Sequence, residues 1–187
     1  MPSSEDLLRT ELLAIRYGRG DSEAMVDLVS IWQNRLYYYV RRLVPDQEEA
    51  LDIVQDVWVL VIGRFRQLRN PSAFPAWLFK IARNVAHSHI RKCRRREMTA
   101  EDKAVPHGIE EESSGPLAGF TAEDIHRALG KLTVAHRDCL TLHFIEGFSL
   151  LEVSQIVGLP LGTLKSRLHY AKKSLRRILQ EEVNPDE

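Results

Sequence analysis

The sequence predicts an all-α protein built as two small helical domains joined by a flexible acidic linker, the second domain a helix-turn-helix. Three observations lead there. Apolar residues recur three and four apart through nearly every segment, the period of a helix with one buried face, and no segment alternates convincingly as a half-buried strand would. Capping-type pairs and glycine or proline stops punctuate the chain at helix-length intervals. A stretch from 97 to 119 is poor in apolar residues and holds Glu110-Glu111-Glu112 and Ser113-Ser114-Gly115-Pro116. It is longer than a compact domain tolerates as a structureless loop. The expected units are therefore 1–96, a linker 97–119, and 120–187, a division that 187 residues allow.

Leu7, Leu8, Leu12 and Ile15 mark a first helix ending near Gly18. Asp21 or Ser22 opens a second, with Met25, Leu28, Val29, Trp32, Leu36, Tyr39, Val40 and Leu43 inward and Pro45 as its stop. Asp46 caps a third, whose buried face is Ile53, Val54, Val57, Val61 and Phe65. Asn70-Pro71-Ser72 breaks the pattern, and a fourth helix runs from about Pro75 to Arg95, its proline suited to a first turn. In the second unit Thr121 and Asp124 form a capping-box pair before a helix near 122–130. Another helix near 134–146 carries Leu140, Leu142, Phe144 and Ile145 and stops at Gly147. Ser149 with Glu152 caps a short helix through Ile156, Gly158 suits a left-handed cap, and Pro160, Gly162 and Thr163 open a final helix to about Leu179.

Formal net charge is zero, yet the charges are sorted. Arg64 to Arg96 holds 10 basic and no acidic residues, whereas the 63 residues before it hold 6 basic and 11 acidic. A second basic stretch lies in the last helix. Concentrated cations attract polyanions. Cys93 and Cys139 are too few and too far apart for a disulfide framework. The N-terminus lacks the apolar core of a signal peptide, and no run approaches the ~18–20 apolar residues of a membrane span, so a soluble cytoplasmic protein without membrane insertion is expected. His89 and Cys93 share a helix face, but His87 is not on it, and two ligands from one helix do not close a zinc site. No metal, no cofactor and no catalytic residue are expected: nothing sets Cys139 beside a base, and no glycine loop cradles phosphate.

Two basic regions carry functional readings. Ser149–Leu175 has helix-turn-helix geometry. Residues just inside the second helix of such a unit reach base edges in the major groove; here they are Thr163, Lys165, Ser166, Arg167 and His169. Lys172, Lys173, Arg176 and Arg177 suit phosphate, and Leu164, Leu168, Ala171 and Leu175 face the core. The plainer reading is a solvated basic helix closing a bundle. In the first unit, cations interleave with Phe65, Phe74, Trp77 and Phe79, as single-strand binding requires. Trp77 also fits a core position, spaced four from Ile81 and Ile81 four from Val85. The third helix sets polar Asp52, Gln55 and Asp56 beside more apolar residues than one buried face needs, which fits a protein partner or burial on several sides.

Three stretches, Asp52-Ile-Val-Gln-Asp56, Trp77-Leu-Phe-Lys-Ile-Ala-Arg-Asn84 and Gly162-Thr-Leu-Lys-Ser-Arg167, resemble in order and spacing the extracytoplasmic-function sigma factors of bacterial RNA polymerase. The resemblance spans roughly 20–96 and 120–179. It implies a non-enzymatic transcription initiation factor that binds the polymerase core through its β′ and β subunits, and promoter DNA. On that resemblance Asp52, Ile53, Gln55, Asp56 and Val59 bind core. Arg69, Asn70, Ser72, Phe74, Trp77, Lys80, Arg83, Asn84 and His87 recognise and melt the −10 element, with Phe74 near a flipped base. Thr163, Lys165, Ser166, Arg167, His169, Tyr170, Lys172 and Lys173 read the −35 element. The linker threads toward the active-site and RNA-exit channels, and an anti-sigma factor is a partner the family often uses. Tyr170 stands where members usually have Arg, and Ile62 where many have Trp. The alternative is a helix-turn-helix regulator that binds duplex DNA without polymerase.

Overall fold

The computed structural model describes residues 3–44, 46–97 and 121–183. Pro45 and nearly all of the expected linker lie outside the described residues. The first unit comprises α1 (Ser4–Gly18), α2 (Glu23–Leu43), α3 (Gln47–Arg64) and α4 (Phe74–Glu97), with two single 3-10 turns between α3 and α4. The second comprises α5 (Ala122–Lys131), α6 (Val134–Leu140), α7 (Leu150–Val157) and α8 (Leu161–Val183). No strand occurs among the described residues.

The caps are made by the residues the sequence singles out. Asp46 accepts from the Glu49 amide at 2.8 Å, and Thr121–Asp124 and Ser149–Glu152 close reciprocal capping boxes. At α2 it is Asp21 that accepts from the Glu23 amide, 3.1 Å away, while Ser22 makes no side-chain cap. Ser3 and Asp6 form a further capping box on α1. Each such bond satisfies an amide that the helix leaves without an internal partner.

The α2 stripe is buried as expected, apart from half-buried Val29, and packs with Ile53, Val57 and Val61 of α3 and Leu78, Phe79, Ala82 and Ala86 of α4. On α1 most of the leucines that mark the helix lie outside the core. Leu8 and Leu12 are 65% and 63% exposed and Leu7 is exposed too, while Thr10, Leu13 and Ala14 are buried. The reason is polar: the buried Trp32 indole donates to Thr10 Oγ1 at 3.0 Å, and a buried N–H needs a partner. With Thr10 turned inward, Tyr17 stacks edge-on against Phe65, centroids 4.5 Å apart.

The helix expected over 134–146 is interrupted. After Leu140 the chain widens into a π-helical turn over Thr141–Ile145, with the Glu146 amide bonding Thr141 O at 2.9 Å. The extra residue in the turn leaves Phe144 exposed and Glu146 buried, and Gly147 takes a positive φ of 82°. Gly158 closes α7 in the left-handed conformation, φ 73°. Leu164, Leu168, Ala171 and Leu175 face the core as predicted, and α8 runs on to Val183.

The two units are docked. α4 packs along α7 and α2 along α6, with Phe79 edge-on to Phe148 at 5.0 Å. The distribution of charge across this contact bears on the functional sites.

Candidate nucleic-acid and partner interfaces

The face of α3 predicted to meet a protein partner is present, with one exception. Asp52, Gln55, Asp56 and Val59 are exposed at i, i+3, i+4 and i+7, one stripe of a helix. Apolar Leu51 and Ile62 are exposed as well, and Val59 is 69% exposed. Ile53 is the exception. It is 2% exposed and belongs to the core, because its spacing from Val57 and Val61 puts it on the opposite face.

The loop before α4 is a small polar knot. Asn70 Oδ1 accepts from the Ser72 amide at 3.2 Å and from its hydroxyl at 3.0 Å, so these two side chains shape the 3-10 turn at Pro71–Ala73. Arg69, Asn70, Ser72, Lys80 and Asn84 are exposed. Phe74, expected to meet a flipped base, is fully buried, its ring 6.2 Å from both Phe65 and Trp77. A residue at the start of α4 whose neighbours are both aromatic has more to gain from packing than from water. Trp77 is half-buried against the same rings, which is the core reading of that position.

Arg83 and His87, predicted for the −10 element, face the second unit in this arrangement. Arg83 Nε donates to Asp138 Oδ2 at 2.6 Å, and His87 Nε2 lies 3.0 Å from the same oxygen. Tyr39 Oη donates to the other Asp138 oxygen at 2.7 Å. Asp138 is wholly buried. Burial raises its carboxyl, but the His87 hydrogen bond and the Arg83 charge outweigh it and hold the group below the usual carboxylate range. Burial and the nearby carboxylate push the Tyr39 phenol well up. A second carboxylate, Glu146, meets Arg35 at 2.9 Å and Arg42 at 3.8 Å. There burial dominates and the carboxyl is raised, with Arg35 and Arg42 offsetting it only in part. Arg137 adds a contact to the backbone, donating to Arg42 O at 2.8 Å. Two acids of the second unit thus bind basic groups of the first, 51 to 111 residues distant in sequence.

On α8, Thr163, Lys165 and Ser166 stand exposed in the first turns after Gly158. Ser166 Oγ donates to Gly162 O at 3.2 Å. Arg167 is half-buried and interacts with the Cys139 thiol, which burial pushes up to about 11. His169 and Tyr170 are half-buried, rings edge-on at 5.5 Å. Lys172 and Lys173 are exposed, and the Lys172 ammonium sits 6.0 Å over the Phe144 ring that the π-turn leaves outside. His143, Phe144, Leu150, Lys165, His169 and Lys172 line one shallow groove beside the recognition helix. In the sequence Phe144 is one of the apolar residues of the helix near 134–146, and nothing in its spacing signals the bulge.

A third constellation involves Cys93. The fold adds Glu49 of α3 to the His89–Cys93 pair of α4, so that three ligand atoms lie within 4.8 Å of one another. Glu49 lies 40 residues before His89 and carries no local signal.

The fold is all-helical and two-part, with a helix-turn-helix in one unit and an exposed partner-type stripe in the other. That architecture offers two separate surfaces, one suited to duplex DNA and one to a protein partner. Comparison with known proteins agrees. The Sigma-70 region 2 profile matches residues 28–97, and the Sigma-70, region 4 profile matches residues 122–175. The RNA polymerase sigma-H factor of Pseudomonas aeruginosa is 30% identical over 178 residues, covering 90% of this chain and 92% of the relative. The ECF RNA polymerase sigma factor SigW of Bacillus subtilis is 27% identical over 173 residues, 87% of this chain and 92% of SigW. Among solved structures, the sigma factor RpoE of Bartonella quintana, in complex with the anti-sigma factor NepR, superposes with a TM-score of 0.65. It is 27% identical and covers 82% of this chain and 95% of RpoE. The chain belongs to the sigma-70 family, within its extracytoplasmic-function group. It is an RNA polymerase sigma factor acting in promoter recognition and transcription initiation, and the regulator that works without polymerase is not favoured. No helix among the described residues is long and apolar enough to cross a membrane.

Proposed function

We propose that 1–96 is the unit that binds the polymerase core and the −10 element, and that 120–187 reads the −35 element. Core binding rests on Asp52, Gln55, Asp56 and Val59. Thr163, Lys165 and Ser166 contact base edges, while Lys172 and Lys173 hold phosphate. Arg69, Asn70, Ser72, Lys80 and Asn84 form the −10 surface, to which Arg83 and His87 are added when the units part. The protein contributes no chemistry of its own and works in the cytoplasm. Melting follows because the −10 surface binds the separated strand better than the duplex, so the opened state gains population without nucleotide consumption.

The observation that carries this reading is the exposure of both recognition stripes while the cationic groups between them are occupied. Arg83 cannot neutralise phosphate and Asp138 together, and His87 contacts the same carboxylate oxygen, so the docked arrangement is the resting form and promoter binding separates the units. Two linked weak sites then add through effective concentration. By analogy with RpoE bound to NepR, an anti-sigma factor is a proposed partner that favours one arrangement over the other.

Run-off transcription with purified core tests the whole. Core plus this protein should initiate at a −35/−10 promoter that core alone ignores. Asp52→Ala with Gln55→Ala should lose recovery of core in a pull-down. Unchanged recovery removes α3 as the docking helix.

A further inference from the structure

The group formed by Glu49, His89 and Cys93 is the feature that the sigma-factor reading leaves without a role. His89 Nε2 lies 3.1 Å from Glu49 Oε2 and 3.3 Å from Cys93 Sγ. One ring nitrogen therefore faces a carboxylate and a thiol at once. If it carries a proton it donates to Glu49, and the thiol then faces an N–H. If it is bare it accepts from Cys93, and the carboxylate then faces a lone pair. A single proton on that nitrogen serves one neighbour well and the other at best through a weak, shared contact to sulfur.

A cation bonds both neighbours. Zinc bonded to N, S and O at its usual lengths, with tetrahedral angles, sets neighbouring ligand atoms about 3.4 to 3.6 Å apart. The two distances found here fall within about 0.3 Å of that, and the third pair lies inside the 4.8 Å that bounds the group. Two of the three separations are thus close to those around a bound ion. The donors come from two packed helices: His89 and Cys93 are one helical turn apart on α4, and α3 packs against α4. Side-chain exposures of 31% for His89 and 45% for Glu49 leave the site open on one side. A water then completes four ligands. Thiolate and imidazole select a zinc-class transition ion over magnesium or calcium.

We propose that Glu49, His89 and Cys93 form a zinc site with one open position, tying the start of α3 to the last turns of α4. Glu49 is one turn ahead of Asp52, so the ion braces the helix that carries the core-binding stripe against the helix that leads into the linker. Binding displaces the thiol proton, and any proton on Nε2, into solvent.

The test uses the full-length, reduced protein, stripped of metal with a chelator and titrated with zinc alone against a chromophoric competitor. One zinc per chain is expected. Cys93→Ser and His89→Ala should each weaken binding at least tenfold, and Glu49→Gln by a smaller factor. Cys139→Ala should leave binding unchanged, since that thiol is buried away from the group. Cobalt(II) in place of zinc should give a thiolate-to-metal charge-transfer band that Cys93→Ser abolishes. Zinc should raise the thermal midpoint of the wild type and not of His89→Ala. Equal zinc affinity in wild type and Cys93→Ser, or cobalt bound without the charge-transfer band, overturns the site. Circular dichroism of each variant establishes that it is folded, so lost binding in a folded chain counts for the proposal.

Discussion

Asp138→Asn is the perturbation whose consequence the structure specifies most fully. The side chain lies in α6, yet its partners Tyr39, Arg83 and His87 are all in the first unit. Separating the units exposes the carboxylate to water, so the second unit alone does not need the charge. The substitution keeps the shape, removes the charge and leaves Arg83, 16% exposed at its side chain, against a neutral acceptor. Breaking a buried pair costs about 3–5 kcal/mol, and the partial hydration of Arg83 argues for the lower end. A loss of about 3 kcal/mol lowers the ratio of docked to separated forms by roughly 150-fold. Small-angle scattering should show a larger radius for Asp138→Asn than for the wild type. A double-mutant cycle in urea with Arg83→Gln should return a coupling of about 2–3 kcal/mol. An unchanged radius together with coupling near zero refutes the latch. The pH dependence has a definite sign. Asp138 titrates lower in the folded protein than in the unfolded chain, so its stabilisation is complete above a carboxylate's ordinary value of about 3.9 and is lost as pH falls through the lowered value. The stability gap between wild type and Asp138→Asn should therefore shrink on going from pH 6 to pH 3.

Three further outcomes follow. Glu146→Gln should destabilise less than Asp138→Asn in the same urea experiment, because burial already opposes the charged form of Glu146. Phe74→Ala should cost about 3–5 kcal/mol of unfolding free energy as a buried aromatic deletion; normal stability with selective loss of −10 binding would restore Phe74 to the DNA surface. Lys165→Ala should reduce binding to −35 duplex and lower the salt slope of that binding by about 1. An equal loss on DNA lacking the −35 sequence would remove base reading from Lys165.

By itself the sequence determined most of the helices, several of their caps, the helix-turn-helix and much of the exposed stripes of α3 and α8. These rest on interactions within about four residues, which a linear pattern records: Asp46 with Glu49, Ser149 with Glu152, and the three-and-four spacing of Leu164, Leu168, Ala171 and Leu175. Only the tertiary structure decided what each basic or aromatic group faces. The cation run from Arg64 to Arg96 was legible as a polyanion-binding surface, but Arg83 and His87 meet Asp138 across more than fifty residues of chain. Thr10 rather than Leu8 turned inward because the Trp32 indole needed an acceptor, and Phe74 was taken into the core by Phe65 and Trp77. Glu49 joined His89 and Cys93 through the packing of α3 on α4. Periodicity says that a residue has an inside or an outside, whereas the identity of its neighbour is set by desolvation and pairing between segments far apart in sequence.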